Sequence, residues 1–490
     1  MTNPDSSEKQ LLKRELGFFD LTLFYIAGGL SLRWIATAAA AGPSTILVWI
    51  FACLFFFVPL AASVLELSAR YPQEGGLYVW TQRAFGDFPG FLVAWTYWMS
   101  NLPYFPAVLY FGAGSLLFAF PHGQRLSSSG IYYLLFALGC LALITMLNVR
   151  GLKFGKWLIS LGAFGSWVPI IILLVLAGIS IFRFGSATKF TAMSMTPHAD
   201  LKNAIFWSTI FFAFGGCETG SFMSEEIKNA RRTIPRALIV SGIILASSYI
   251  AGTIALLVAL PSTEISGVGG FPSAIQLMCA RLGVSWIVVV IALLITLNSI
   301  GGAASFLSST SRLPFVAGID RYLPQAFGRV HAKWGTPWIA VIFYGFAGML
   351  CALLSQTGSS VQSAYDLLVS MSIITYFIPF VFLFLAMIRL QREPVPHGAT
   401  RLPGGKPVAV VLASVGLITT VLTIVLAIVP PNDEPHKGIA IAKVIGSTFL
   451  LVGAGVAIFL RSFWKRSETT TVILYVAIGS LAIRELSPTV

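Results

Sequence analysis

Charge is scarce in this 490-residue chain: Asp, Glu, Lys and Arg together make up 10% of it, against about 25% in ordinary soluble domains. The shortage excludes a string of soluble globular domains, and no polar connection is long enough to hold one, which takes at least about 50 residues. Histidine is also rare. His122, His198, His331, His397 and His436 fall in connections and make no metal-like pair. No nucleophile elbow, phosphate-binding loop or paired carboxylate motif is present, which argues against an enzyme. No metal and no cofactor is expected. The five cysteines (Cys53, Cys140, Cys217, Cys279, Cys351) lie in or beside apolar runs at irregular spacing, fitting neither a zinc site nor a disulfide framework. The opening MTNPDSSEKQLLKRE lacks an apolar core, so the expectation is no cleavable signal peptide and insertion directed by the first span.

What the chain has is apolar length. Hydrophobic residues are 56% of it and mean hydropathy is +0.83. At about 20 residues per spanning helix, that supplies around a dozen. Breaks at charged and Pro/Gly-rich points predict twelve: Phe18–Ala41, Thr45–Ala69, Phe88–Phe120, Ile131–Val149, Phe154–Phe182, Lys202–Ile227, Pro235–Leu260, Val284–Val316, Pro337–Leu354, Val361–Leu390, Val408–Val429 and Gly438–Leu460. The apolar stretch Val472–Ile483 is too short to span and reads as interfacial. Tyr71–Gly86 and Thr263–Gly283 mix apolar and polar residues and predict short elements lying against the two faces.

The net charge of +13 reports topology rather than nucleic-acid binding, because the basic residues cluster in alternate connections. Lys9, Lys13, Arg14, Arg70, Arg83, Arg150, Lys153, Lys156, Lys228, Arg231, Arg232 and Arg236 fall on one side. Arg312, Arg321, Arg329, Lys333, Arg389, Arg392, Arg401, Lys406, Arg461, Lys465 and Arg466 join them. The other side holds Arg125, Arg183, Lys189, Lys202, Arg281 and Lys437. The expectation is a multi-pass protein of the cytoplasmic (inner) membrane with both termini cytoplasmic.

Two spans carry interruptions. The first contains AGGLSLR at Ala27–Arg33 and the sixth contains FFAFGGCETG at Phe211–Gly220. Adjacent glycines weaken a helix by about 1 kcal/mol each. Taken alone, a glycine pair also suits close helix packing. Breaks five spans apart suggest two five-helix repeats with a binding site where the broken segments meet. Free amides and positive helix ends there attract a carboxylate, and free carbonyls and negative ends attract an ammonium. A zwitterionic amino acid has both.

These features, with ELSARYPQEGGLYVWTQRAFG at Glu66–Gly86, EEIKNARRTIPRA at Glu225–Ala237 and SSTSRLPFVAGIDRYLP at Ser308–Pro324, resemble the amino acid–polyamine–organocation superfamily of secondary transporters from Leu16 to Leu460. The pattern is nearest the L-type and polyamine-uptake branches, with glutamate/GABA exchangers a further relative. The resemblance implies an all-α polytopic fold of about twelve transmembrane helices, an inverted five-plus-five repeat with two additional C-terminal helices. It divides the chain into an N-terminal tail (1–16), a first repeat (17–185), a second repeat (200–391), helices 11 and 12 (406–461) and a C-terminal tail (462–490). By the same resemblance Ile26, Ala27, Gly28, Gly29 and Leu30 of the first break and Phe214, Gly215 and Gly216 of the sixth span bind substrate. Phe212 takes the position of an aromatic gate, with core packing as its alternative role.

Departures from the family pattern bear on substrate. Trp34, next to Arg33, stands where polyamine-type relatives often have an acid. A cation beside the path repels polycations and favours neutral or acidic amino acids, which makes Arg33 a selectivity candidate. Ionisable residues at membrane depth are functional hypotheses by default. Glu218, directly after the second break, is a proton-coupling candidate or an acceptor for freed amides. Glu66 lies one turn before Arg70 and predicts an ion pair, Lys443 snorkels near a helix end, and Asp366 faces a vestibule. No lysine occurs between Trp157 and Phe182, against the lysine-for-sodium device of some relatives. The expected function is alternating-access transport of a small-molecule amino acid through the lipid bilayer by proton symport or exchange. An amine permease and a non-transporting sensor are the alternatives, and nucleic acid is not an expected partner.

Overall fold

The computed structural model describes residues 12–197, 201–265, 270–320, 322–355, 361–396, 399, 401–429, 438, 445–446 and 448–464. The described residues contain helices and no strand, apart from one isolated parallel bridge between Leu16 and Ile227. Lys443 and the stretch 472–483 lie outside them, as does the side chain of Asp366.

The first expected span is two helices, α1 (Phe18–Gly29) and α2 (Leu32–Ala40), joined by extended backbone at Leu30 and Ser31. The glycine pair therefore closes α1, and the two residues after it carry the break. Helix α3 (Thr45–Arg70) widens to a π-type turn at Cys53–Phe57, just ahead of Pro59. Proline lacks the N–H that a regular turn would use there. The mixed segment after it forms α4 (Leu77–Phe85), bounded by Gly76 and Gly86, both at positive φ. Helices α5 (Asp87–Leu116), α6 (Gly130–Val149) and α7 (Leu152–Phe184) follow.

The sixth span repeats the interruption. Helix α8 (Leu201–Phe212) gives way to turns over 213–218 and then to a 3₁₀ segment, Thr219–Glu226. Next come α9 (Ala230–Ala259), α10 (Gly270–Leu282), α11 (Trp286–Thr310), α12 (Arg312–Ile319), α13 (Trp338–Ser355), α14 (Val361–Leu390), α15 (Gly405–Ile428) and α16 (Thr448–Trp464). Helix α9 starts at Ala230 rather than at the expected Pro235, because its first turn is polar and the apolar run begins later than the helix. Nine spans among the described residues are long and apolar enough to cross a membrane. Helix α8 with its 3₁₀ continuation, α14 and α16 occupy the remaining expected positions.

The outside of the bundle is apolar: Phe182, Ile418, Phe449 and Leu450 are all well exposed. In water such a surface would drive association; against lipid it is the stable arrangement. Inside, close approach replaces hydrophobic driving force. A Cβ placed on Gly162 of α7 would lie 2.6 Å from the Cα of Gly301 in α11. Those two helices thus cross with their backbones in contact, and α11 is held as a central post. One buried ion pair ties α3 to α14. Glu66 and Arg70 form the ion pair their i,i+4 spacing predicts, completed by Gln391 and the Leu390 carbonyl.

Candidate functional site

The two breaks face one cavity. Its wall takes Gly28 and Gly29 from α1, Ser31, Arg33 and Trp34 from the first break and α2, and Phe212, Ala213 and Gly215 from the second break. Ser100, Asn101 and Tyr104 of α5, Phe306 of α11 and Tyr376 of α14 complete it. The cavity has a volume of about 30 Å³, far below the roughly 300–1,000 Å³ of ligand-filled sites, so the walls stand close together in this conformation.

Each break needs outside partners, because unwound backbone at membrane depth must be satisfied by protein or water. Tyr249 of α9 supplies the first set. Its hydroxyl donates to the Gly29 carbonyl at 2.5 Å, accepts the Ser31 N–H at 3.2 Å and lies 3.2 Å from the Ala213 carbonyl. One buried phenol therefore touches both broken segments. Its ring is stacked on Trp49, with centroids 4.5 Å apart and planes 5° from parallel, and Trp49 is in turn fixed by a 3.0 Å bond to Thr253. Asn298 of α11 donates to the Leu30 carbonyl at 3.4 Å and to Gly162 at 3.2 Å.

At the second break Gly216 takes φ +109°, a conformation that favours glycine. Its N–H donates to Glu218 Oε2 at 3.1 Å. The other carboxyl oxygen of Glu218 accepts from the hydroxyls of Tyr97 and, at 2.6 Å, Tyr376. Glu218 is fully buried. Tyr376 thus has its ring in the cavity wall and its hydroxyl on the Glu218 carboxyl, a direct mechanical link from cavity to acid.

Of the residues singled out from sequence, Gly28, Gly29, Arg33, Phe212 and Gly215 line the cavity. Ile26, Ala27, Leu30 and Phe214 are buried in the packing around it. The Ile26 carbonyl accepts the Leu30 N–H, and Phe214 packs edge-on against Trp49 and Tyr249. A Cβ on Gly29 would press within 3.1 Å of Leu245, and one on Gly28 within 3.1 Å of Ser305 Oγ. Both glycines therefore permit close packing as well as cavity contact. Phe212 packs edge-on against Trp34 (5.9 Å) and Tyr376 (5.1 Å), forming an aromatic rim. Arg33 is buried, with its guanidinium 4.3 Å from the Trp34 ring centroid. The lining holds this one guanidinium and, among the described residues, no carboxylate.

Sequence reading missed Tyr97, Tyr249 and Tyr376. The available signal was chemical: a tyrosine deep in an apolar helix has a hydroxyl that must find a partner.

Comparison with known proteins adds an independent line. A family model described as amino acid permease matches residues 16–459. The chain is 29% identical over 447 residues to an uncharacterised transporter of Legionella pneumophila, covering 90% of this chain and 95% of that protein. It is 24% identical over 422 residues to a probable agmatine/putrescine antiporter of Lactococcus lactis, covering 85% and 89%. It is also 25% identical over 354 residues to a glutamate/serine transporter of Bacillus subtilis, covering 68% and 64%.

Proposed function

The chain belongs to the amino acid permease family, and from that premise we propose that it is a secondary transporter carrying neutral or acidic amino acids by alternating access. The observation that carries the reading is the meeting of both helix breaks at one cavity. Helix α2 begins there, and the amides of its first turn are the place for the substrate carboxylate. Helices α1 and α8 end there, so their negative ends and carbonyls suit the ammonium. The close packing at Gly28, Gly29 and Gly215 lets the backbone approach the ligand. Phe212, with Trp34 and Tyr376, serves as the aromatic gate. Residues 17–185 and 200–391 act as the two inverted repeats, both termini lie in the cytoplasm of the host cell, and Glu218 exchanges a proton as the site opens and closes.

Arg33 argues for substrate class. A buried guanidinium in the cavity wall disfavours diamines and attracts an anionic side chain. The similarity to a probable agmatine/putrescine antiporter is the specific ground for the rival amine reading. Competition binding to purified protein decides between them. Glutamate or a neutral amino acid should outcompete putrescine on the wild type. Arg33→Glu should shift that ratio toward putrescine by tenfold or more, about 1.4 kcal/mol. Preference for putrescine on the wild type would establish the amine reading instead.

A further inference from the structure

The YPQEGG motif leaves Glu74 unused by the substrate site, yet Glu74 is 1% exposed. It lies in the connection between α3 and α4, clamped to the segment that follows the second break. Its Oε2 accepts the Glu225 N–H at 2.9 Å, its own N–H points to Glu225 Oε1 at 3.5 Å, and the Gly75 N–H donates to the Phe222 carbonyl at 3.1 Å. Its Oε1 is buried and has no hydrogen-bond partner among the described residues.

The charges around it do not balance. Glu226 is 1% exposed and Arg312 fully buried. Arg312 is committed to Glu226 by two bonds, 2.7 and 2.9 Å, and to the Ser308 carbonyl and Ser311 hydroxyl by two more. Among the described residues, two buried carboxylates thus share one guanidinium that is bonded to only one of them. A net buried charge is costly, and a proton on the unbonded acid removes it. From the 3₁₀ segment Glu225 and Glu226 face Glu74, and from α12 Arg312 does. The amino-terminal segment meets the same cluster through backbone, the Glu15 and Leu16 N–H groups bonding the Glu226 carbonyl. Beside it a cavity lined by Arg14, Pro72, Glu225, Arg231 and Arg232 reaches the edge of the cluster at Glu225.

We propose that Glu74 is a proton-binding latch: while this end of the bundle is closed its carboxyl holds a proton, and parting of the 71–76 connection from 225–228 releases it. Burial, then the charge of Glu226, pushes the Glu74 carboxyl well above the usual carboxylate range; Arg312 and the Glu225 N–H pull the other way, and Glu225 adds to the rise. The sign follows. A carboxyl raised in the closed form favours closure fully below its solvated pKa of about 4.3, and that preference fades as pH rises toward the closed-form value. Opening then increases with pH by up to about tenfold per unit, the limit for one proton. The proton enters and leaves at the same face, so the latch senses pH on that side and carries no proton across. The latch rests on the alternating-access reading, but its protonation is measurable without transport.

Infrared difference spectra of the reconstituted full chain, titrated from acid to alkaline pH, test it. Wild type should lose a protonated-carboxyl band that Glu74→Gln lacks, and Glu74→Asp should shift that band if the amide variant does not fold. The same band in Glu74→Gln, a band unmoved in Glu74→Asp, or a transition that follows sodium rather than pH would each overturn the latch. Substrate binding by Glu74→Gln at the wild-type level would leave the transport reading standing in every case.

Discussion

The hydroxyl of Tyr249 lies 2.5 Å from the carbonyl oxygen of Gly29, the last helical residue before the first break. That bond, with the Ser31 N–H donating to the same Tyr249 hydroxyl, replaces hydrogen bonds that an unbroken helix would have made. Tyr249→Phe keeps the stack on Trp49 and removes only the hydroxyl. The buried groups left unpaired should cost about 1–3 kcal/mol. Thermal unfolding in detergent should show the loss, and affinity for substrate should fall with it. Unchanged stability would mean that the break is supported elsewhere.

Gly215 touches the same machinery from the other side. A Cβ there would meet the Tyr376 ring at 2.5 Å, closer than real contacts allow. Gly215→Ala should therefore displace Tyr376 from Glu218 and weaken binding more than folding. Isothermal titration beside a melting curve separates the two, and a variant that binds as wild type would show that the ring moves without consequence.

Glu218→Gln removes the ionisable carboxyl while keeping its shape. The amide oxygen still accepts from Tyr97 and Tyr376, but its NH₂ faces the Gly216 N–H, forfeiting one hydrogen bond worth about 1 kcal/mol. Uptake into proteoliposomes should show a flattened pH profile with substrate binding largely kept. A profile of wild-type shape would end the proton-coupling assignment and leave Glu218 a structural acceptor.

Much of this arrangement was legible in the chain. Spans followed from apolar length, and the breaks from Gly28-Gly29 and Gly215-Gly216. The break itself falls one step later, at Leu30 and Ser31, because Tyr249 captures that backbone, a contact 218 residues away from Ser31. The meeting of Tyr97 and Tyr376 at Glu218 spans 121 and 158 residues. Apolar helices hide such meetings: when every face is hydrophobic, periodicity no longer says which face turns inward. The Arg312–Glu226 pair lies inside two motifs readable in the sequence, but their contact depends on α12 packing beside the 3₁₀ segment.

Counterflow is the most direct test that this cavity carries amino acids by alternating access. Proteoliposomes loaded with unlabelled glutamate or a neutral amino acid should transiently concentrate the same radiolabelled compound above its equilibrium level, and Tyr249→Phe should reduce the overshoot. Labelled amino acid that only equilibrates, as through a channel, or an overshoot obtained with putrescine and with no amino acid, would contradict the account.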